Sequence, residues 1–253
     1  MIDKPDEHRR MFAVEAQLWW YRHLHDRVIE RVQHRYGTRK DITIFDVGCG
    51  TGGLLHRLQQ AGYPHLRGVD GSVEGVGLCR ERGLSVDLIN LIQLAAYMPT
   101  VTYDVIVCND VLCYFHDAEL RPLLSELAKR LRPGGILISN NNAFSLFRGQ
   151  HDLAVGSLRR FVRADFERLA PPAGLRIILA TYWSLTLAPL ILLARQWQAL
   201  QLRLGWQSAD SPGSDVYLPH PLVNKLFYDL VTAERKLLGK VPFGSSLFLE
   251  LVR

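Results

Sequence analysis

The chain has 253 residues, 48% of them hydrophobic and 22% charged, and its formal net charge is +5. This composition is typical of one globular domain with a sizeable core, and the mild, dispersed positive charge does not predict a nucleic-acid partner. The four cysteines, at positions 49, 79, 108 and 113, have neither CxxC nor zinc-ligand spacing, so we expect reduced thiols and no metal site.

The sequence contains no candidate for a targeting or membrane-spanning segment. Residues 1–10 are charged and hold no apolar stretch, which argues against a signal peptide. The most apolar run, 185–194, is too short to cross a bilayer and contains Pro189. We therefore expect a cytoplasmic protein, for which membrane association is possible but not predicted.

Hydrophobic periodicity predicts a long helix over residues 7–36, in which apolar and aromatic residues recur at helical spacing. Short apolar strands and amphipathic helices then alternate: strands at 42–47, 67–70, 86–89, 103–108 and 136–139, with helices at 54–61, 73–82 and 117–131. This alternation predicts a parallel sheet covered by helices on both faces.

The pattern changes after the fifth strand. A helix at 163–169 and a strand at 175–181 are followed by a long insertion before the last strand, 246–252. The insertion contains an apolar helix around 187–204, a Ser-, Asp-, Pro- and Gly-rich loop at 207–215, and a helix at 222–238 with a leucine stripe at Leu222, Leu226, Leu230 and Leu237. The apolar residues of its first helix cover more than one face, so we expect this insertion to be a lid that helps to build a substrate pocket.

A glycine-rich segment, residues 46–53, follows the first predicted strand and opens the next helix. Glycine at such a turn lets the backbone bend tightly and approach a ligand. Gly48, Gly50 and Gly53 also satisfy the dinucleotide fingerprint GxGxxG, which is a weak signal by itself.

Asp70 ends the second predicted strand, where a carboxylate can accept hydrogen bonds from the two hydroxyls of a ribose. It could also cap the helix that follows, a role that does not exclude ribose binding. Together with the glycine segment it predicts adenosine binding, whether the nucleoside belongs to NAD or to S-adenosylmethionine.

Four segments together resemble the class I S-adenosylmethionine-dependent methyltransferases of the type-11 kind: DVGCGTG at 46–52, GVD at 68–70, YDVIVCNDVL at 103–112 and LRPGG at 131–135. The resemblance is strong over 42–139. Looser similarity to a bacterial subfamily of small-molecule methyltransferases continues in the segments 19–22, 151–152, 159–161 and 242–244.

The resemblance implies S-adenosylmethionine as cofactor and a seven-stranded, mostly parallel Rossmann-like α/β sheet with an antiparallel edge hairpin. It also implies an N-terminal helical cover and a helical insertion before the last strand. On this basis the chain is one methyltransferase domain, 1–253, divided into a cap at 1–40, a core at 41–183 and 242–253, and a lid at 184–241.

The resemblance also implies a role for individual residues. Asp46 orients the loop and the amino-acid end of the cofactor, Asp70 holds the ribose hydroxyls, Asn90 accepts a hydrogen bond from the adenine amine, and Asn109 lies beside the sulfonium. The other cofactor-binding residues implied are Gly48, Cys49, Gly50, Gly52, Gly71 and Leu91.

The aromatic segment Trp19-Trp20-Tyr21-Arg22 lies on the first predicted helix. In relatives this helix covers the cofactor, and an aromatic face such as that of Tyr21 can attract a sulfonium. Arg22 could pair with the methionine carboxylate. The alternative is an aromatic helix face that simply packs on the sheet.

The chain departs from many relatives, which carry Glu-His where it has Cys113-Tyr114, so their usual candidate base is missing. His151 is our first choice for a base, because it follows the fifth strand at the end of the sheet where ligands collect. A surface histidine in a loop is the competing interpretation. Tyr114 and His116 are second choices.

Methyl transfer depends mainly on orientation, and a base is needed only when the acceptor must lose a proton early. We therefore expect methyl transfer by in-line displacement to a small-molecule acceptor, a hydroxyl or amine on a partly apolar metabolite. One alternative is a non-catalytic S-adenosylmethionine-binding partner subunit or sensor. Another is a nicotinamide-dependent oxidoreductase.

Overall fold

The computed structural model describes residues 5–204 and 216–253, so the predicted loop at 207–215 lies outside the described residues. Its strands are β1 Thr43–Val47, β2 His65–Asp70, β3 Val86–Leu88, β4 Tyr103–Val107, β5 Leu131–Asn142, β6 Arg176–Trp183 and β7 Ser246–Val252. Its α-helices are α1 Pro5–Val14, α2 Trp19–Tyr36, α3 Gly53–Gln60, α4 Val73–Glu81, α5 Asp117–Lys129, α6 Gln150–Val155, α7 Arg163–Leu169, α8 Ala188–Arg203 and α9 Pro221–Leu238.

The strands form one sheet in the order β3-β2-β1-β4-β5-β7-β6. Strands β1 to β5 are parallel, and β7 runs antiparallel between β5 and β6. The predicted fold class, including the antiparallel hairpin at the edge, is confirmed. The strand order reverses between β1 and β4, and the crevice outside such a reversal is where ligands bind in open α/β sheets.

Both faces of the sheet are buried, because successive side chains of a strand point to opposite sides. Ile44 of β1 and Val105 of β4 pack with α2 and α3 on one face. Phe45 and Ile106 pack with α5 and α7 on the other. This double burial explains why the central strands read as nearly continuous apolar runs.

The predicted helix at 7–36 is two helices, because the chain leaves the helix after Val14 and re-enters it at Trp19. Glu15, in the break, is buried and accepts hydrogen bonds from Thr51 and Arg82, each at 2.5 Å. A continuous helix could not deliver this carboxylate to the glycine segment while keeping the apolar face of α2 on the sheet. Two further differences are that β5 is longer than predicted and that α6 was not predicted.

The insertion leaves the sheet after β6 and returns before β7. Its two ends meet at a pair of serines, with Ser184 Oγ and Ser245 Oγ 2.7 Å apart. Between them, α8 lies beside the turn that precedes α6, and α9 packs on α2. No α-helix in the described ranges 5–204 and 216–253 is long and apolar enough to cross a membrane.

Candidate functional site

A cavity of about 920 Å³ opens at the carboxyl ends of β1, β2, β4 and β5. One side is formed by the glycine segment and the residues that follow β2 and β4. The other side is formed by α6 and by the insertion, with α1 and the start of α2 across the top. The cavity therefore lies at the reversal of strand order, where a nucleotide-like ligand is expected.

The glycine segment is held in its turn by the carboxylate of Asp70. Gly50 N–H donates to Asp70 Oδ2 and Ser72 N–H donates to Asp70 Oδ1, both at 2.8 Å. Ser72 is itself the cap of α4, since its hydroxyl accepts from Gly75 N–H at 3.1 Å. Asp70 is thus not the helix cap, and it lines the cavity beside the turn that it holds.

Gly48 has a φ of +75°, a left-handed conformation that side chains other than glycine's rarely tolerate. A Cβ at this position would also lie 2.3 Å from Val111 Cγ2. The turn therefore needs glycine both for its backbone angle and for its contact with the segment after β4.

Three carboxyl groups converge at this end of the cavity. Glu15, Asp46 and Asp70 are all buried and all line it. Burial, followed by the neighbouring carboxylates Asp70 and Glu15, raises the pKa of Asp46 to about 8. Burial also raises the pKa of Asp70 and of Glu15 above their ordinary values. Such a site favours a ligand that brings positive charge.

A fourth carboxylate, Asp110, follows β4 and lines the same cavity. It adopts a φ of +55°, which is uncommon for a residue with a side chain and often marks a functional site. Asn140 Nδ2 donates to both of its oxygens, at 3.2 and 2.9 Å, and Trp183 Nε1 donates to Asn140 Oδ1 at 2.9 Å. Burial raises the pKa of Asp110 to about 7.

Residues 44–135 match the family model of the methyltransferase domain. This match covers the glycine segment, Asp70 and Asp110. Over these residues the chain is therefore similar to methyltransferase domains.

Curated relatives of the chain match over part of their length. Trans-aconitate 2-methyltransferase from Azoarcus sp. is 35% identical over 97 residues, which are 38% of this chain and 37% of the relative. Ubiquinone biosynthesis O-methyltransferase from Rickettsia bellii is 26% identical over 118 residues, which are 44% of this chain and 46% of the relative. The chain thus spans less than half the length of these relatives.

Solved structures share the fold over most of the chain. A methyltransferase from Archaeoglobus fulgidus, described as SAM dependent, has a TM-score of 0.58 at 11% identity and covers 91% of this chain and 93% of its own. Magnesium protoporphyrin IX methyltransferase from Synechocystis, solved with bound SAM, has a TM-score of 0.54 at 18% identity and covers 91% and 78%. At these identities the likeness concerns the fold.

Most of the predicted site residues line the cavity. For the cofactor they are Tyr21, Asp46, Gly48, Cys49, Gly50, Asp70, Gly71 and Asn109, and for the chemistry Tyr114 and His151. Tyr21 and Tyr114 come from α2 and from the turn after β4, and burial raises the pKa of both phenols. Their roles remain predictions, but the fold brings them together.

The structure does not bring Arg22 to the cavity. One residue along an α-helix turns the side chain by about 100°, so Tyr21 and Arg22 point to different sides. The Arg22 guanidinium lies over the ring of Tyr228, 4.4 Å from its centre, between α2 and α9. The predicted contact of Arg22 with a methionine carboxylate is therefore not formed by this geometry.

Four more predicted residues lie outside the cavity lining. Asn90 is exposed, and its side chain caps a short 3-10 turn by accepting from Ile92 N–H at 3.1 Å. Leu91 is packed in the core. His116 is the cap residue of α5, and Gly52, with φ +80°, packs against Leu84 and Cys79 beneath the loop. These local structural roles account for the position of all four residues outside the cavity lining.

His151, our first choice for a base, lies on α6 and lines the cavity. Its Nδ1 atom is buried and has no hydrogen-bond partner among the described residues. Asp152, the next residue along α6, is held by Arg160 through Nε and Nη2 at 3.0 and 2.9 Å. Burial alone would raise the pKa of Asp152, but the hydrogen bonds and charge of Arg160 hold it below its ordinary value.

Asp110 is the residue that sequence reasoning missed. It stands beside Asn109 in the segment CNDVL, and the resemblance directed attention to the asparagine. The available signal was an acidic residue directly after a central parallel strand, at the edge where the other site residues were already predicted.

Proposed function

We propose that this protein transfers the methyl group of S-adenosylmethionine to a small-molecule acceptor, a hydroxyl or amine on a partly apolar metabolite. One observation carries the proposal: the glycine segment with Asp70 and the aromatic side chains of the insertion line a single cavity. The domain match and the named activities of the relatives support it.

The residues at the glycine end fit S-adenosylmethionine. The cradle formed by the backbone of Gly48 and Gly50 lines the cavity, and Asp70, which accepts from Gly50 N–H, would hold ribose hydroxyls. Burial raises the pKa of Asp46 and of Glu15, and a bound cation would stabilise their carboxylates, which suits the ammonium and sulfonium groups of this cofactor. A dinucleotide would instead place its anionic pyrophosphate near these carboxylates, which disfavours the oxidoreductase alternative.

The opposite end of the cavity fits an acceptor with apolar surface. Its walls include Phe147, Leu190, Trp197, Tyr217 and Phe227, contributed by the segment before α6, by α8, by the residues before α9 and by α9 itself. These side chains would exclude water and hold the acceptor atom in line with the methyl group, which bound S-adenosylmethionine supplies in activated form. In this proposal, residues 184–241 act as the lid of a single domain.

A protic acceptor must also lose a proton, and two groups that line the cavity could receive it. His151 presents a half-buried imidazole whose Nδ1 atom is buried and has no hydrogen-bond partner among the described residues. Asp110 presents a carboxylate whose pKa of about 7 suits proton transfer near neutral pH. Either group accepts the proton at its free lone pair while orientation drives the displacement.

Calorimetry separates the cofactor hypotheses. We expect S-adenosylhomocysteine and S-adenosylmethionine to bind to the purified chain, and NAD⁺ not to bind. Turnover is tested with S-adenosylmethionine labelled at the methyl group and fractions of small-molecule extract, by measuring S-adenosylhomocysteine release. Cofactor binding without release in any fraction would favour the sensor alternative, and binding of NAD⁺ instead would overturn the proposal.

A further inference from the structure

Helix α9 buries two polar residues on its inner side and exposes several leucines on its outer side. On the inner side, Asn224 accepts a hydrogen bond from Trp19 N–H at 2.9 Å, and Glu234 accepts one from Thr186 N–H at 2.8 Å. The outer side carries the stripe Leu222, Leu226, Leu230 and Leu237, whose exposed fractions run from 36% to 82%. A surface helix of a globular protein normally has the opposite arrangement.

Helix α8 shows a second exposed stripe. Its members recur at intervals of three and four residues, continue one residue past the end of the helix and are 42% to 64% exposed: Leu190, Leu193, Trp197, Leu200 and Leu204. Single exposed leucines are ordinary, but a stripe of exposed apolar residues on each of two consecutive helices indicates an interaction surface. We call the two stripes together the α8–α9 apolar face.

The α8–α9 apolar face adjoins the cavity. Leu190 and Trp197 belong to the exposed α8 stripe and also line the cavity wall. Val223, next to Leu222 of the α9 stripe, lines the cavity too. A partner that covers this face would therefore lie beside the part of the cavity wall that α8 and α9 form.

The charges around the face are mainly positive. Helices α8 and α9 together contain five basic residues and two acidic ones. Of the two acidic residues, Glu234 is buried and Asp229 forms an ion pair with Lys225. Arg235 is paired with Glu30 of α2, so the positive charge beside the leucine stripe of α9 comes from the exposed residues Lys236 and Lys240.

Leucine and tryptophan on one face with lysine beside them are typical of helices that lie in the interface of a membrane containing anionic lipids. Lysine can extend its charged end to the headgroups while its stem stays among apolar groups. Lysine is, in contrast, depleted in the core of protein–protein interfaces. The charge pattern thus favours a lipid surface over a second copy of the chain.

We propose that the α8–α9 apolar face docks on the surface of a bilayer that contains anionic lipids, with both helices lying in the plane of the interface. This docking does not depend on the methyl-transfer proposal. A second statement rests on the methyl-transfer proposal: the acceptor is a lipid-soluble molecule that passes from the bilayer into the cavity between α8 and α9.

Vesicle flotation of the full chain tests the docking. We expect the protein to float with vesicles of phosphatidylcholine and phosphatidylglycerol, and less with phosphatidylcholine alone. The double variant Leu193→Ser, Leu226→Ser removes one leucine from each stripe and should lower the partition coefficient roughly tenfold or more. Lys236→Ala with Lys240→Ala should reduce only the binding that depends on phosphatidylglycerol.

Val101→Ser is the matched control, because Val101 is a 39% exposed apolar residue at the opposite end of the sheet, just before β4. It should bind to vesicles like the wild type. Thermal unfolding and S-adenosylhomocysteine calorimetry show that each variant is folded and separate this test from that of the proposed function. Absence of flotation of the wild type, or a stable dimer that the leucine variant dissociates, would overturn the assignment.

Discussion

Asn140 holds Asp110 at two points. Its side-chain amide donates to both carboxylate oxygens of Asp110, and its backbone oxygen accepts from Asp110 N–H at 2.7 Å. Trp183 orients this asparagine in turn, because its indole N–H donates a hydrogen bond to Asn140 Oδ1. This chain of contacts crosses from β6 to β5 to the segment after β4. It fixes an acidic group at the cavity in a backbone conformation that it would not otherwise favour.

Replacing Asp110 with asparagine should remove a proton acceptor while keeping its shape. If Asp110 is the base, turnover falls by roughly 10²–10⁴. Because the carboxylate is the active form and its pKa is about 7, the wild-type rate should rise with pH up to that value and then level off. The variant should lack this rise. Asp41→Asn, at an exposed carboxylate paired with Arg39, is the control. An unchanged pH profile excludes Asp110 as the base.

Replacing His151 with alanine distinguishes the second candidate. A base role predicts a loss of turnover of roughly 10²–10⁴, whereas the affinity for S-adenosylhomocysteine should stay the same because His151 lies on α6, away from the glycine segment. Turnover and calorimetry are measured on the same preparation. Near-normal turnover at all pH values tested would show that orientation, or Asp110, carries the reaction without the histidine.

Asp70→Ala should weaken cofactor binding by about 1.5–3 kcal/mol, as expected for lost hydrogen bonds to a charged group. Part of this loss comes through the loop, since Gly50 N–H also loses its acceptor. Calorimetry with S-adenosylhomocysteine measures it. Asp87→Ala, which removes a half-exposed carboxylate paired with Arg67 on the neighbouring strand β3, should bind normally. Equal affinities in both variants would place Asp70 outside the site.

Gly48→Ala tests the glycine cradle through two separable effects. The left-handed backbone costs about 1–2 kcal/mol for a residue with a Cβ, and the new Cβ would lie 2.3 Å from Val111 Cγ2. Gly62→Ala has the same backbone cost at φ +86° but meets no atom within 4 Å. The melting temperature should fall further in Gly48→Ala than in Gly62→Ala, and only the former should lose cofactor affinity. Matching behaviour of the two would contradict the cradle.

The stability of the ligand-free protein should depend on pH through Asp46. Its pKa is raised from an ordinary 3.8 to about 8, so between these values the folded state holds a proton that the unfolded chain releases. Stability therefore falls as pH rises from about 4 to about 8. Asp46→Asn should flatten this dependence in thermal unfolding measured across that range. An equally steep dependence in the variant would assign it to other groups, such as Glu15.

Local sequence patterns were sufficient to predict the sheet and the glycine segment. All seven strands and the turn after β1 follow from short-range periodicity and glycine spacing. The break at Glu15 was not predictable in this way, since its partners Thr51 and Arg82 lie far along the chain. A continuous helical pattern of apolar residues does not reveal that one carboxylate must turn inward.

Side-chain direction was the weakest part of the site prediction. Tyr21 and Arg22 are adjacent in sequence, but the helix sends one to the cavity and the other to Tyr228. The position of Asp110 depends on Asn140 and Trp183, which no local pattern connects to it. The resemblance identified the correct strand ends, but long-range hydrogen bonds determine how the side chains at those ends are held.

The serine pair at the base of the insertion has a consequence for how such proteins diversify. Because Ser184 and Ser245 meet at 2.7 Å, the chain enters and leaves the 185–244 segment at nearly one point, beside the hairpin of β6 and β7. A short linker could join these ends with little strain on the strands. The segment can therefore be exchanged for one of different length or chemistry while the glycine turn and Asp70 stay as they are, which lets selection change the acceptor independently of the methyl donor.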